Sequence, residues 1–263
     1  MELRIVGQPG YAYTGNRPHQ QDQPVLVFIH GAGMDHSVWL LQSRYFAHHG
    51  YSVLAVDLPG HGRSGGEALD NIPALANWTA ALLDAVGAER AALVGHSMGS
   101  LVALETAARY PGRVRALALL GSAVPMPVGP PLLAAAEQND HAAIDMITLW
   151  GHAERAQFGG HRVPGLWMTG SAERLLERAA PGVLYRDLRA CNNYRHGLES
   201  AARVQCPGCL ILGNEDRMTP PRAARQLAET LARAQTVLLD DCGHMMMVEK
   251  PEQTLDALIA AGL

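Results

Sequence analysis

A serine framed by glycines, Gly95-His96-Ser97-Met98-Gly99, carries the first chemistry this chain offers. The pentapeptide follows the apolar run Ala91-Ala92-Leu93-Val94 and precedes the helical pattern Leu101-Val102-Ala103-Leu104. It therefore falls between a strand and a helix, the setting that gives a Gly-x-Ser-x-Gly match its meaning. A turn that tight needs small residues at its ends, and it lifts the hydroxyl clear of a sheet at a helix N-terminus, where developing negative charge is favoured. A hydroxyl becomes a nucleophile when a base takes its proton, most often a histidine oriented by a carboxylate. Behind a serine so placed, the acid and then the histidine are expected further along the chain, each just beyond a strand. Cys209-Leu210-Ile211-Leu212 runs into Gly213-Asn214-Glu215-Asp216, and Thr236-Val237-Leu238-Leu239 runs into Asp240-Asp241-Cys242-Gly243-His244. Ser97, His244 and Asp216 are the candidate nucleophile, base and orienting acid. Among the rivals, Glu215 should point elsewhere than its neighbour, and Asp240 and Asp241 lie too near His244 along the chain to face it. Gly121-Ser122-Ala123-Val124 offers no acid after the preceding strand.

Two further loops complete a pattern. His30-Gly31-Ala32-Gly33 follows the strand-like Val25-Leu26-Val27-Phe28-Ile29, and Asp57-Leu58-Pro59-Gly60-His61-Gly62-Arg63-Ser64 follows Tyr51-Ser52-Val53-Leu54-Ala55-Val56. With the serine turn and Gly243-His244, these segments resemble the serine-dependent α/β hydrolases over nearly the whole chain. The resemblance implies a doubly wound, mostly parallel eight-stranded sheet, the α/β-hydrolase fold, with an inserted helical cap. Acyl transfer needs two backbone N–H groups aimed at the oxyanion. One should come from Met98, directly after the serine; by resemblance the other comes from Ala32. His30 reads as a hydrogen bonder that orients its loop. Asp57, His61 and Arg63 read as a structural turn beside the serine, and His96 as structural too. Gly31-Ala32-Gly33 is no dinucleotide fingerprint, because His36 stands where the third glycine should be.

The elements that must position these residues can be read in turn. Leu3–Val6 and Tyr11–Thr14 suggest a hairpin turning near Gln8-Pro9-Gly10. Strands follow at Val25 and Tyr51, with a helix near Ser37–His49, and a helix at Ile72–Val86 precedes the serine strand. Val114–Leu120 is the next strand, and strand rhythm returns only at Cys209 and Thr236. The interval between is too long for a simple connection. Helical stretches at Leu132–Trp150, Arg174–Ala180 and Leu188–Ala202 suggest that it forms the cap. The expected organisation is a hydrolase core of residues 1–122 and 206–263 and a cap of residues 123–205. Met34, Trp39, Met126, Trp150, Trp167 and Met245 are candidates for an apolar pocket wall above Ser97, with ordinary core packing as the alternative reading of each.

Length and composition bound the rest. At 263 residues, 48% apolar and 17% charged, the chain can bury an ordinary globular core. A formal charge of −4 speaks against a nucleic-acid partner, which would want a basic face. The uncharged stretch from Ala116 to Ala136 is interrupted by Pro125, Pro127, Pro130 and Pro131, so it is not expected to span a membrane. The amino terminus has no basic stretch before an apolar core, and a cytoplasmic protein is expected. Cys206-Pro207-Gly208-Cys209 enters a strand rather than a helix, and Cys191 and Cys242 stand alone, so neither redox chemistry nor zinc is expected. The expected activity, needing neither metal nor organic cofactor, is hydrolysis of a small to medium, largely apolar carboxylic ester through an acyl-enzyme. The same triad would serve C–C bond hydrolysis, lactone opening, perhydrolysis or acyl transfer, and a ligand receptor that keeps the triad is the alternative of another class.

Overall fold

The computed structural model describes residues 1–161, 163 and 165–263. Eight strands form one sheet: β1 (Glu2–Ile5), β2 (Gln8–Tyr13), β3 (Val25–Ile29), β4 (Ser52–Asp57), β5 (Ala91–His96), β6 (Val114–Leu120), β7 (Gly208–Gly213) and β8 (Ala234–Leu239). Their order is β1-β2-β4-β3-β5-β6-β7-β8, with β2 antiparallel to both its neighbours, β1 and β4, and the remaining pairs parallel. The central strands β3, β4 and β5 are buried along their whole length. Sheets covered by helices on both faces require that, and it explains why these strands read as continuous apolar runs rather than alternating ones.

The sequence of connections fixes where a ligand can sit. From β3 the chain winds outward to β4, then returns to β5 on the other side and continues to β8. The order thus reverses at the β3–β5 pair, and the crevice beyond the carboxyl ends of two such strands is where open α/β sheets bind ligands. Ile29, the last residue of β3, pairs with Gly95 of β5. The loops that follow begin with His30 and Ser97.

Helices α1 (Leu40–Ala47), α2 (Ile72–Ala85) and α3 (Met98–Arg109) follow β3, β4 and β5. Between β6 and β7 lie α4 (Pro130–Glu137), α5 (Ala142–Gly151), α6 (Glu154–Gln157), α7 (Met168–Leu176), α8 (Val183–Asn193) and α9 (Gly197–Arg203). After β7 comes α10 (Arg225–Thr230), and after β8 come α11 (Met246–Glu249) and α12 (Pro251–Ala260). The sheet separates two apolar cores, one under α2 and α3 and one under α1 and α12.

Several element expectations need correction. The hairpin turns at Val6-Gly7, both at positive φ, not at Gln8–Gly10. Gly10 lies inside β2, where a Cβ would come 2.6 Å from Ile5 Cδ1; it makes room for a cross-strand neighbour instead of a bend. The single helix expected over Leu132–Trp150 is two, α4 and α5, separated by a turn in which Asn139 takes φ 52°. The stretch Leu188–Ala202 likewise breaks around Tyr194-Arg195-His196 into α8 and α9. The helix expected at Arg174–Ala180 begins earlier, at Met168.

Candidate active site

Ser97 is the only residue between Ala91 and Ala108 that is not buried. It stands at the N-terminus of α3 with φ 53° and ψ −117°, a region that a residue with a Cβ occupies only when its surroundings force it. Its N–H donates to the Leu120 carbonyl of β6 at 2.9 Å, and its own carbonyl accepts from Ser100 Oγ at 2.5 Å. The two glycines of the pentapeptide are needed for close approach. A Cβ on Gly95 would strike the Gly99 carbonyl, and one on Gly99 would strike the Ile29 and His30 carbonyls. Strand β5, helix α3 and the loop after β3 can meet this tightly only through bare backbone.

Asp216 and His244 are brought together. His244 Nδ1 donates to Asp216 Oδ2 at 2.7 Å, and both side chains are buried. A carboxylate only accepts, so the proton lies on Nδ1 and the lone pair on Nε2 stays free to act as a base. The carboxylate is itself held: Oδ1 accepts the Met218 and Thr219 N–H groups at 2.8 and 2.7 Å, and Oδ2 accepts the Thr219 hydroxyl at 2.8 Å. Burial alone would raise the Asp216 pKa, but the adjoining His244 ring and these hydrogen bonds outweigh it and hold the carboxyl below its ordinary range. The imidazole lies against Gly121, where a Cβ would sit 2.8 Å from both Cε1 and Nδ1, and Gly121 directly follows the Leu120 carbonyl that holds Ser97. Among the described residues no hydrogen bond joins Ser97 Oγ to His244. Such contacts are often long in unliganded enzymes and tighten when substrate binds.

The loop after β3 lies beside Ser97: a Cβ on Gly31 would be 3.3 Å from Ser97 Cβ and 2.9 Å from His96 Nδ1. The Met98 N–H is the first of α3 and has no preceding turn to bond. Among the described residues neither it nor the Ala32 N–H meets an acceptor. His30 orients this loop, since its Nε2 accepts the Leu58 N–H at 3.1 Å and its Nδ1 donates to the Gly31 carbonyl at 2.8 Å. Burial and the nearby His61 push its pKa down to about 4, so the ring stays neutral. His96 Nε2 donates to the His244 carbonyl at 2.9 Å, and burial beside the His244 ring lowers its pKa as well. Asp57 accepts from His36 N–H and Nδ1 and from Arg63 N–H, which closes the turn after β4. Asp35, His36 and Asp57 lie close enough to share a cation, but these oxygens of Asp57 are already occupied, and Asp35 serves Ser37 and Arg178.

Two side chains here escaped the sequence reading. Thr219 braces the Asp216–His244 pair. Glu249, buried in α11, accepts the Gly243 and Ala153 N–H groups through Oε2 and the Met245 N–H through Oε1, so it grips both sides of His244 and ties them to the segment before α6. An acid closing the apolar run Met245-Met246-Met247-Val248 was the available signal.

The six pocket candidates do not share one wall. Met245 lines a cavity of about 480 Å³ together with Val38, Leu41, His152, Met168 and Leu175. Trp39 is buried, tilted on Phe28 and edge-on to His96; Met34 is buried with it, and Met126 is buried against the α2–α3 side of the sheet. Trp150 is half-buried and Trp167 is 65% exposed.

Similarity to known proteins defines the chain's class. Residues 24–251 match the family described as the alpha/beta hydrolase fold, and the chain belongs to that family. It is 32% identical over 249 residues to a pimeloyl-[acyl-carrier protein] methyl ester esterase of Aromatoleum aromaticum, covering 88% of this chain and 95% of the relative. It is 25% identical over 259 residues to an (E)-2-((N-methylformamido)methylene)succinate hydrolase of Acinetobacter baylyi, covering 94% and 93%. Among solved structures, the enol-lactonase from Burkholderia xenovorans LB400 superposes with a TM-score of 0.87 at 22% identity, over 99% of each chain. The protein is thus an α/β-hydrolase-fold enzyme, similar throughout to hydrolases, and among the described residues no helix is long and apolar enough to cross a membrane.

Proposed function

We propose that this enzyme is a serine hydrolase that cleaves a small to medium, largely apolar carboxylic ester through an acyl-enzyme. The observation that carries the reading is the buried Asp216–His244 pair, 2.7 Å apart, on loops after β7 and β8, at the same carboxyl-end edge of the sheet as the strained serine. In this reading His244 Nε2 takes the Ser97 proton as Oγ attacks the ester carbonyl, while Asp216 keeps the imidazole in the useful tautomer. The Ala32 and Met98 N–H groups receive the oxyanion. His244 then gives the proton to the departing alcohol, and water repeats the sequence on the acyl-enzyme. Residues 123–205 serve as the cap, and the cavity beside Met245 is the candidate site for an apolar portion of the substrate. The ester preference draws support from the 32% identical relative, whose name describes a methyl ester esterase. A cytoplasmic setting belongs to the same proposal, and the four free cysteines fit a reducing compartment.

Labelling with a fluorophosphonate, followed by peptide mass spectrometry, should place the adduct on Ser97. Ser97→Ala should lower kcat for p-nitrophenyl esters by about 10⁶-fold without loss of fold. A variant that kept comparable turnover would rule Ser97 out as nucleophile.

A further inference from the structure

Beside the loop after β3 lies a buried charged pair that the triad does not use. Asp187, on α8, accepts through Oδ2 the Gly33 N–H at 2.8 Å and His61 Nε2 at 2.8 Å. Both side chains of the pair are buried. The proton count follows from the partners. His61 Nδ1 faces the Pro59 carbonyl at 3.0 Å, and a carbonyl only accepts, so Nδ1 carries hydrogen. Nε2 faces a carboxylate oxygen at 2.8 Å, and that contact also needs a proton between its atoms. The pair therefore holds two protons, as an imidazolium against a carboxylate. Burial alone would lower the His61 pKa, but the charge and hydrogen bond of Asp187 outweigh it and raise it. The other titratable groups facing the pair are His30, whose ring centroid lies 4.9 Å from that of His61, Asp57 and Cys191. Asp187 Oδ1 is buried with no partner among the described residues, so the carboxylate is oriented entirely through the oxygen that meets Gly33 and His61.

We propose that Asp187 is a positioning residue: through its ion pair with His61, α8 fixes the Ala32–Gly33 peptide and so aims the Ala32 N–H at the reacting centre. The proposal rests on the assignment of Ser97, His244 and Ala32 above. Gly33 takes φ +67° and has no side chain to brace it, so its N–H is the handle by which the loop is held. The anchor comes from the segment between β6 and β7, 154 residues away in the chain, which makes the geometry of the oxyanion loop depend on how that segment docks.

The full-length enzyme, assayed on p-nitrophenyl esters, tests this. Asp187→Leu removes the acceptor and should lower kcat by about 10- to 100-fold, since displacements near 1 Å bring losses of that order, with KM changed by less than about threefold. Asp187→Asn keeps an oxygen for the Gly33 N–H and should recover most of the loss. It also removes the charge that keeps His61 protonated: wild-type kcat should decline as the pH rises through the His61 titration, whereas the Asn variant stays level. If Asp187→Leu does not fold, these pH profiles decide, and parallel profiles overturn the proposal. Unchanged kcat in a folded Asp187→Leu overturns it too, and leaves the nucleophile assignment standing if fluorophosphonate still labels Ser97. Failure to label Ser97 in the wild type instead removes the assignment on which the proposal rests.

Discussion

Asp216 does what an amide cannot. Its carboxylate accepts from His244 Nδ1, from two backbone N–H groups and from the Thr219 hydroxyl. An asparagine in its place could still accept from the backbone, but an NH₂ turned toward His244 would force the proton from Nδ1 to Nε2 and block the base. In the proposed triad, Asp216→Asn should therefore keep the fold and lower kcat about 10⁴-fold, the loss a wrong tautomer brings. Steady-state kinetics with a thermal melt would check both halves, and a loss below tenfold would contradict the role given to Asp216. The places of Ser97, Asp216 and His244, the proposed triad, at one sheet edge were legible in the sequence because each stands just past an apolar strand. Thr219, Glu249 and Asp187 were not. Thr219 and Glu249 act through hydrogen bonds to close neighbours in the chain as well as distant ones, and apart from the acid that closes Met245–Val248 their surroundings do not single them out. The partners of Asp187, Gly33 and His61, are brought near only by folding.

At the scale of elements, the site is a problem of close approach. The strand β5, helix α3 and the loop after β3 meet at Gly95 and Gly99 with no space for a Cβ. Gly99→Ala should push the Ile29 and His30 carbonyls outward. Overpacking of this kind costs about 1–3 kcal/mol, and here it also displaces the loop that bears Ala32. A lower Tm together with reduced kcat is expected. Gly112→Ala is the control: a Cβ there meets nothing within 4 Å, and Tm should stay within about 1–2 °C. Equal melting of the two variants would remove the packing argument. The strands β3 to β7 were easy to read, since a buried parallel strand is a short apolar run between turn residues. The helices between β6 and β7 were harder. The breaks fall in the polar runs Glu137-Gln138-Asn139-Asp140-His141 and Asn192-Asn193-Tyr194-Arg195-His196, which could equally be the solvent face of a continuous helix until the folded backbone turns there.

The whole molecule holds its histidines in opposite charge states, and this sets its acid tolerance. His30 and His96 are buried and kept neutral, His30 with a pKa near 4 against an ordinary 6.5. The unfolded chain takes up a proton at each of these sites as the pH falls through 6.5, while the native state refuses it until far lower. Their contribution is thus fully present above pH 6.5 and is lost on the way down to the folded pKa. For His30 alone the shift corresponds to about 3 kcal/mol. Asp57 and Asp216, both held below the ordinary carboxylate range, add to the loss at still lower pH. His61 has the opposite sign: its raised pKa makes its contribution complete below 6.5 and lost toward alkali, so it offsets none of the fall between 6.5 and 4. Tm should therefore drop between pH 6.5 and 4, by roughly 6–12 °C from His30 for a chain of this size. In His30→Gln, which keeps hydrogen-bonding capacity but does not titrate, the same pH change should lower Tm by less, even if the variant starts less stable. A wild-type Tm that is level from pH 7 to 4.5 would mean that His30 is charged in the native state, and its place between the Leu58 N–H and the Gly31 carbonyl would have to be redrawn with two donors on the ring.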